Sequence, residues 1–462
     1  MSHTQKVGVV VACICWVAGL SADLHWWTPR VVPVLSGFVD SHNVAMNRHG
    51  RAIAMFDDRI FASYDVASDR WEFCELDFSA DTIGLKAIQN KVSSFSSTFS
   101  RGAKIALNDR NQGVAIFNIV EGVHQCKVVC LSYSDHGWGL ITVLSDEKAK
   151  VPIIAQSTEG RAVAIWIHQG EGDTKNYLMG AHYNGSSWSK QEVLSSYKSV
   201  TIDYTQSGPQ IGMNELGDAI VVWNAPSEED AKEGLIVASY FDVFGESWIS
   251  GQVIAKQSLG KKGLAMGVNK LGDVLVVWDS AQCIEASRCN LVERIIADMS
   301  LKASSLLPNK KSLPQSEDVW VKAFLAQGEG LRTPKVCVNG QGDGVAIWSN
   351  ADQGVDSAYF HRESNAWSRM AQLASKSTYE TTLQMGTNGK GYAFWIGERE
   401  NLNEGIFSSR FDFSARTWDT AQVLSGTQDG LISHLEAVSI AKENYGMVIW
   451  FDFFKEQLFL LF

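Results

Sequence analysis

The chain has too few basic residues for a nucleic-acid-binding protein. Its 462 residues include 40 Lys and Arg against 51 Asp and Glu, which leaves a formal net charge of −11. The basic residues form no stripe that could neutralise phosphates, and the acids are scattered along the chain. Nucleic acid is therefore not an expected partner. With 45% hydrophobic and 20% charged residues, the composition also excludes bulk disorder and provides ample material for a core.

Long apolar stretches are missing except near the N-terminus. There one Lys precedes the apolar run VGVVVACICWVAGL (7–20), and small residues follow before Asp23. This order is typical of a secretory signal peptide, so we expect residues 1–22 to be removed after Ala22. A retained anchor is the alternative, although the run is short for a membrane span. We therefore expect an exported protein that is periplasmic, cell-surface or extracellular, with no integral membrane segment after cleavage.

Several catalytic and metal-binding motifs are missing as well. The sequence contains no G-x-S-x-G elbow of a serine hydrolase and no D-x-D-x-D-G calcium loop. A Ser-His-Asp set cannot be assembled from spacing alone, so no catalytic residue is assigned. We expect no metal and no cofactor.

The chain contains instead eight copies of one short sequence motif. NELGDAIVVW (214–223), NKLGDVLVVW (269–278) and NGQGDGVAIW (339–348) are nearly identical. Asn and Gly tolerate a positive φ best, so N-x-x-G predicts a tight hairpin turn. The alternating, branched residues after it predict a strand. The copies close on the aromatic residues Phe56, Phe117, Trp166, Trp223, Trp278, Trp348, Trp395 and Trp450.

A second pattern follows the first, and it consists of a strand, a polar turn and a tryptophan that opens another strand. Examples are AHYNGSSW (181–188) and ASYFDVFGESW (238–248). The last copy lacks its final strand, and WWTPRVVPVLS (26–36) has the missing pattern. Two sets of large aromatic residues at a fixed register indicate packing between repeats. We therefore assign structural roles to Gly217, Trp223, Trp248, Trp278 and Trp348.

Each repeat thus comprises four short antiparallel strands, and Trp223 and Trp278 show a repeat length of 55 residues. Such a unit cannot bury both faces alone, so the units must stack and close into a ring. The sequence predicts an all-β, eight-bladed β-propeller, closed by the N-terminal strand completing the C-terminal blade. Seven blades is the alternative. The propeller is expected to form a single domain over residues 23–462, with blades beginning near residues 43, 103, 151, 209, 263, 334, 382 and 436.

The paired patterns resemble the N-x-x-G-x-A-x-x-x-W repeats of secreted bacterial β-propeller proteins over nearly the whole mature chain. Similarity to sialidase-like and quinoprotein propellers is distant and architectural. The quinoprotein spacing A-x-D-x-x-T-G is not reproduced, and RVVP (30–33) and SDHGW (134–138) match sialidase patterns only in part. The resemblance implies the fold and gives no reason to expect a quinone cofactor.

Strand order divides the loops between two rims. The turn rim carries the short, uniform N-x-x-G turns and the turns before the tryptophans. The variable rim carries the blade connections and the loops between second and third strands, which differ in length and are acidic. Variable loops on a rigid scaffold usually carry function. We therefore predict a monomeric binding or scaffold propeller that recognises a glycan or protein through the variable-rim residues Asp58, His168, Glu229, Asp279 and Glu400.

The alternative function is a sialidase-like glycoside hydrolase or lyase. A pair of carboxylates at the ends of strands on the variable rim could serve that chemistry. Carboxylates are common at strand ends in any case, so the pattern does not decide between binding and catalysis.

Six cysteines remain after removal of the signal. Cys126 and Cys130 lie four residues apart along one strand, roughly 13 Å at about 3.3 Å per residue, which is too far to bridge. Cys283 and Cys289 flank the short segment IEASR, where the ends of a hairpin could meet. In an oxidising compartment we therefore predict a disulfide between Cys283 and Cys289.

Overall fold

The computed structural model shows eight antiparallel sheets. The expected signal peptide lies outside the residues that it describes. The described residues are 30–31, 42–56, 60–65, 68, 70–77, 84–87, 104–121, 125–145, 148–170, 176–194, 208–227, 233–258, 263–280, 282–297, 320–350, 354–370, 372–376, 378–386, 388–398, 404–426, 432–438, 447–452 and 457–461.

Strand β1 (Arg30–Val31) precedes the first blade. Blade 1 contains β2 (His42–Met46), β3 (Ala52–Phe56), β4 (Ile60–Asp65), β5 (Arg70–Asp77) and β6 (Gly84–Ala87). Blade 2 contains β7 (Lys104–Leu107), β8 (Gly113–Glu121), β9 (Gln125–Ser134) and β10 (Gly137–Val143). Blade 3 contains β11 (Ala149–Gln156), β12 (Ala162–Gln169), β13 (Asn176–Tyr183) and β14 (Glu192–Val193). Blade 4 contains β15 (Gln210–Met213), β16 (Ala219–Pro226), β17 (Glu233–Asp242) and β18 (Ser247–Ser258).

Blade 5 contains β19 (Leu264–Val268), β20 (Asp273–Ser280), β21 (Cys283–Asn290) and β22 (Val321–Gln327), with a short helix at 291–297. Blade 6 contains β23 (Leu331–Val338), β24 (Gly344–Asn350), β25 (Gly354–His361) and β26 (Ala366–Arg369). Blade 7 contains β27 (Thr378–Met385), β28 (Gly391–Glu398), β29 (Glu404–Asp412), β30 (Thr417–Trp418) and β31 (Gln422–Gly426). Blade 8 contains β32 (Ile432–Val438), β33 (Met447–Asp452) and β34 (Gln457–Leu461).

The eight sheets form a closed ring. The first strand of each blade contacts the first strand of the next, and β32 of blade 8 contacts β2 of blade 1. The outermost strand of blade 8 is β1, because Arg30 pairs with Leu460 and Val31 pairs with Phe459. The predicted eight-bladed propeller and its closure by the N-terminal strand are therefore confirmed.

The N-x-x-G segments form the tight turns that connect the first and second strands. In blade 4 the Asn214 side-chain oxygen accepts hydrogen bonds from the backbone N–H groups of Gly217 and Asp218, both at 2.9 Å. Gly217 has a φ of 103°, which an L side chain rarely adopts. Asp218 is buried, and its carboxylate accepts a hydrogen bond from the backbone N–H of Val243 in the adjoining turn. This Asp binds the two turns of the blade together.

The closing aromatic residues form the inner part of the core. Trp166, Trp223 and Trp348 are completely buried, and Trp278 is 1% exposed. Each packs in an apolar cluster that draws on two neighbouring blades. Trp248, which opens an outer strand, is half-buried and packs on Phe241. The blades are thus held together mainly by apolar side chains packed between their faces.

The predicted disulfide is wrong. Cys283 and Cys289 belong to the single strand β21 and pair with Ser280 and Val274 of β20. Six residues along a strand span about 20 Å, so the two sulfur atoms cannot meet. The segment that the sequence suggested as a loop is instead most of the strand β21. The six cysteines in the described part of the chain are all free thiols.

Within the described ranges, no helix has the length and apolar character needed to cross a membrane.

Candidate functional site

Two of the five predicted binding residues lie in the described part of the chain, in different blades. His168 is half-buried near the end of β12, opposite Tyr177. Asp279 lies near the end of β20 and is 1% exposed. The other three predicted binding residues, Asp58, Glu229 and Glu400, lie outside the described residues.

The surroundings of Asp279 give it a structural part. Its carboxylate accepts a hydrogen bond from the backbone N–H of Gly263 at 2.8 Å, and its own N–H donates to the Gly263 carbonyl at 3.1 Å. These bonds fix the chain as it enters β19. Asp279 is therefore enclosed within the blade, whereas a ligand contact needs an accessible carboxylate.

The turn rim presents a feature that the loop pattern did not predict, and it depends on one position in the third strand of each blade. We call this the wedge position: the third-strand residue that pairs with the residue three positions after the turn Gly or Asn and faces the next blade. His182 occupies it in blade 3, and its ring packs on Phe241 of blade 4 with centroids 4.8 Å apart. Arg288 occupies it in blade 5 and lies 5.9 Å from the ring centre of Phe360 in blade 6. Large side chains at this position close the interface between blades.

Serine occupies the wedge position in the first two blades, as Ser63 and Ser132. Each wedge residue pairs with the residue three positions after the turn Gly or Asn of its own blade, so the positions are equivalent. A serine side chain is too short to reach the next blade. A cavity of about 530 Å³ lies beside Ser132, between blades 2 and 3 (the 2/3 cavity). A second cavity, of about 270 Å³, lies beside Ser63, between blades 1 and 2 (the 1/2 cavity).

The two walls of the 2/3 cavity have different chemistry. Blade 2 contributes mainly hydroxyl groups, from Ser132, Ser134 and Thr142. Blade 3 contributes an aromatic pair, Tyr183 and Trp188, whose ring centroids are 5.4 Å apart. Both rings are half-buried, so part of each is accessible from the cavity. A molecule in this space would meet an aromatic surface on one side and hydroxyl groups on the other.

The outer part of the cavity is held together by contacts of Cys130. Burial raises the pKa of this thiol to about 12, so it stays protonated at neutral pH. The thiol is hydrogen-bonded to Thr142 and to the Trp188 indole, which ties the two walls together. Cys130 is therefore a structural thiol rather than a nucleophile.

The first-strand edge of blade 3 adds two hydrogen-bond acceptors. The side-chain oxygen of Gln156 is buried and has no hydrogen-bond partner among the described residues. The exposed carboxylate of Glu159 also lines the cavity and forms an ion pair with Arg110. Buried polar atoms are normally hydrogen-bonded, so an unpaired acceptor beside a cavity suits a ligand that donates hydrogen bonds.

The described lining of the 2/3 cavity suits binding. It contains one carboxylate, Glu159, and no Lys, Arg or His, whereas two-carboxylate glycoside hydrolysis needs a pair. Among the described residues, no group of three or more His, Cys, Asp and Glu side chains could hold a metal ion. Hydroxyl groups, an aromatic surface and the unpaired acceptor of Gln156 together match a neutral, hydroxyl-rich molecule.

Sequence reasoning missed this site, although the repeat contained a signal for it. When the third strands are aligned on their last aromatic residue, or on Cys289 in blade 5, whose third strand has no aromatic, the preceding residue is Ser in blades 1 and 2 and larger in blades 3 to 6. The two blades in which the wedge residue is a small serine are the two blades whose wedge positions border the cavities. Loop length and loop charge, which directed attention to the variable rim, carry no information about this position.

No family model matches the chain, and no curated protein matches it in sequence. Solved propeller structures are similar only distantly. The Dos1 propeller is 10% identical with a TM-score of 0.45, over 94% of this chain and 95% of that one. The microbial sialidase Hz136 is 10% identical with a TM-score of 0.39, over 80% and 75%. The six-bladed fucose-recognising lectin of Aleuria aurantia is 14% identical with a TM-score of 0.35, over 72% and 99%.

Proposed function

We propose that the protein is a glycan-binding propeller that holds a neutral saccharide in the 2/3 cavity. The observation that carries the proposal is the serine at the wedge position, Ser132, beside a cavity with one aromatic wall and one hydroxyl wall. At an equivalent interface His182 fills the same space by packing on Phe241. The 2/3 cavity thus exists because Ser132 does not fill the space between blades that a larger wedge residue fills elsewhere in the ring.

The chemistry of the walls supports a neutral saccharide. A sugar ring has an apolar C–H face that packs on aromatic rings such as Tyr183 and Trp188, and a rim of hydroxyl groups that donate and accept hydrogen bonds. Gln156 and Glu159 would accept hydrogen bonds from that rim. The described lining contains the carboxylate of Glu159 and no cationic side chain, since Arg110, which pairs with Glu159, lies outside the lining. The cavity therefore offers an acidic sugar no cationic partner of its own.

The proposal includes export of the chain, as the N-terminal pattern predicts. The variable rim remains a proposed second surface for a protein or glycan partner, with His168 as its half-buried described member. N-terminal sequencing of protein recovered from a culture medium or periplasmic extract tests the export, and Asp23 as the first residue is the expected result.

A glycan array with purified mature protein tests the site. We expect binding to neutral glycans and little binding to sialylated or sulfated ones. The substitution Ser132→Tyr should fill the cavity and abolish the binding, and Glu159→Gln, at an exposed position, should weaken it. The matched control is Ser63→Tyr, the same change at the equivalent position of the neighbouring interface, which should leave glycan binding unchanged.

Three outcomes would contradict the proposal. The first is an array without signal for the folded wild-type protein. The second is binding that survives both Ser132→Tyr and Glu159→Gln in variants whose melting temperatures show that they are folded. The third is turnover of fluorogenic glycosides, because the hydrolase alternative would then replace a pure binding function.

A further inference from the structure

The 1/2 cavity occupies the same place in the repeat as the 2/3 cavity but has a different lining. Arg51 follows the turn Gly of blade 1, as Gln112 follows the turn Asn of blade 2. Both residues line their respective cavities. One position of the repeat is therefore charged in the first cavity and neutral in the second.

The outer strands extend this difference. Arg70 pairs with Asp65 and Glu72 pairs with Ser63 across the last hairpin of blade 1. At the matching positions in blade 2, Gly137 pairs with Ser134, and Gly139 lies beside Ser132. Blade 1 thus places two long charged side chains, of opposite sign, where blade 2 has only glycine.

The charges of the 1/2 cavity are not consumed by tight ion pairs. Arg51 donates a hydrogen bond to the Tyr133 hydroxyl at 3.3 Å and lies 3.7 Å from the exposed carboxylate of Asp135. Arg70 and Glu72 are exposed, and neither has a described ion-pair partner within 4.0 Å. Two residues apart on one strand, they project from the same face, with backbones about 7 Å apart. A guanidinium and a carboxylate therefore lie side by side at the cavity, available to a ligand.

We propose that the 1/2 cavity binds a small zwitterion, a molecule that carries an ammonium group and a carboxylate a few ångströms apart. Arg70 pairs with the ligand carboxylate, for which its planar guanidinium is suited. Glu72 accepts hydrogen bonds from the ligand ammonium, and Ser63, opposite Glu72 on the neighbouring strand, also lines the cavity. A volume of about 270 Å³ admits a free amino acid or the end of a short peptide. This site is independent of the glycan proposal, because it lies at another interface and takes a different ligand class.

The experiment compares three molecules of nearly the same size by ligand-observed NMR titration of the mature protein: L-alanine, propionate and ethylamine. Alanine carries both charges, propionate only the negative one and ethylamine only the positive one. We expect alanine to bind at least about tenfold more tightly than either analogue. Arg70→Gln and Glu72→Gln should each reduce alanine affinity about tenfold, and Ser63→Tyr should abolish it. Ser132→Tyr, the matched control at the 2/3 cavity, should leave alanine binding unchanged.

The proposal is overturned if alanine does not bind the folded wild-type protein, or if propionate or ethylamine binds as tightly as alanine. It is also overturned if alanine binding survives Arg70→Gln and Glu72→Gln. These two changes lie at exposed positions, so they test the site even where Ser63→Tyr prevents folding. Loss of glycan binding with retained alanine binding would overturn only the proposed function.

Discussion

The indole N–H of Trp320 donates a hydrogen bond to the hydroxyl of Tyr240 over 2.9 Å, and this bond joins blade 5 to blade 4. Tyr240 occupies the wedge position of blade 4 and is completely buried. Trp320, 7% exposed, stands directly before β22. The position that borders a cavity at Ser132 is here closed by both packing and a hydrogen bond.

Removing the Tyr240 hydroxyl should destabilise the ring. In Tyr240→Phe the buried N–H of Trp320 loses its partner, and an unpaired buried donor costs about 1–3 kcal/mol. Urea unfolding should show a lower midpoint that corresponds to a decrease of that size in the unfolding free energy. The control is Tyr183→Phe, whose hydroxyl lies at the 2/3 cavity, and a change within about 0.5 kcal/mol is expected there. Equal effects of the two substitutions would contradict this account.

Gly217 should resist substitution because of its backbone conformation and its surroundings. Its φ is 103°, and an added methyl group would lie 3.0 Å from side-chain carbons of Arg161 and Val243. Gly217→Ala should therefore lower the unfolding free energy by about 1–2 kcal/mol. Gly340, in the turn of blade 6, has open space around it, and Gly340→Ala should be tolerated. Thermal unfolding of the two variants checks this, and a greater loss for Gly340→Ala is the contrary result.

The buried thiols should be unreactive in the native protein. Burial raises the pKa of Cys74 and Cys130 to about 12 and raises the pKa values of Cys289 and Cys337 further. The reactive thiolate is therefore nearly absent at pH 8. Iodoacetamide at pH 8 should leave these four cysteines unmodified until denaturant is added. Peptide mapping under non-reducing conditions should also find Cys283 and Cys289 as separate thiols, and a linked peptide would contradict the fold of blade 5.

Substitutions of Asp279 and His168 should distinguish a residue that stabilises the fold from one that contributes to binding on the variable rim. Asp279→Ala leaves the N–H of Gly263 without its side-chain acceptor and should cost about 1–3 kcal/mol of stability. His168→Ala removes a half-buried ring and should change stability much less. If the variable rim binds a partner, His168→Ala should weaken that binding with little change in melting temperature. A melting temperature unaffected by Asp279→Ala would show that the buried carboxylate is not structural.

Asp412 should make the protein sensitive to acid. The Ser414 hydroxyl, the backbone N–H of Ala415 and the Lys390 ammonium donate hydrogen bonds to its carboxylate and lower its pKa from the usual 3.8. A depressed pKa contributes stability that is complete above pH 3.8 and is lost as the pH falls towards the folded-state value. Asp412→Asn should thus melt below the wild type at pH 7, and the difference should start to narrow below about pH 3.8. A difference that disappears near pH 6 would point to another group.

Much of the fold could be predicted because every repeat carries the same turn, strand and packing signals. The Asn and Gly of each turn, the alternating strand and the closing tryptophan require a hairpin with two buried faces. A single copy would be ambiguous, but successive copies from Gly50 to Gly342 leave a ring as the way to bury them all. The partner of β34 followed from the missing pattern of the last copy.

The failures have physical reasons too. Cys283 and Cys289 were read as the ends of a loop because polar residues separate them, yet Glu285 and Arg288 belong to β21, which pairs with β20 on one side and with β22 on the other. An inner strand that carries charged side chains can look like a loop in sequence. The cavities were missed because they arise where a side-chain contact between blades is absent. A short side chain such as Ser132 leaves no local sequence pattern that indicates the unfilled space. Only comparison of one position across all blades reveals it.

The pairing of β1 with β34 also governs the order of events in folding. Arg30 and Leu460 are 430 positions apart, so one of the first strands to be synthesised finds its partner only among the last residues of the chain. Until those residues are available, β1 has no neighbour in its own sheet and blade 8 has an open edge. Contacts of such long sequence separation form slowly, because a large loop must close before they stabilise anything. Ring closure through β1 and β34 is therefore a late step in the folding of the propeller.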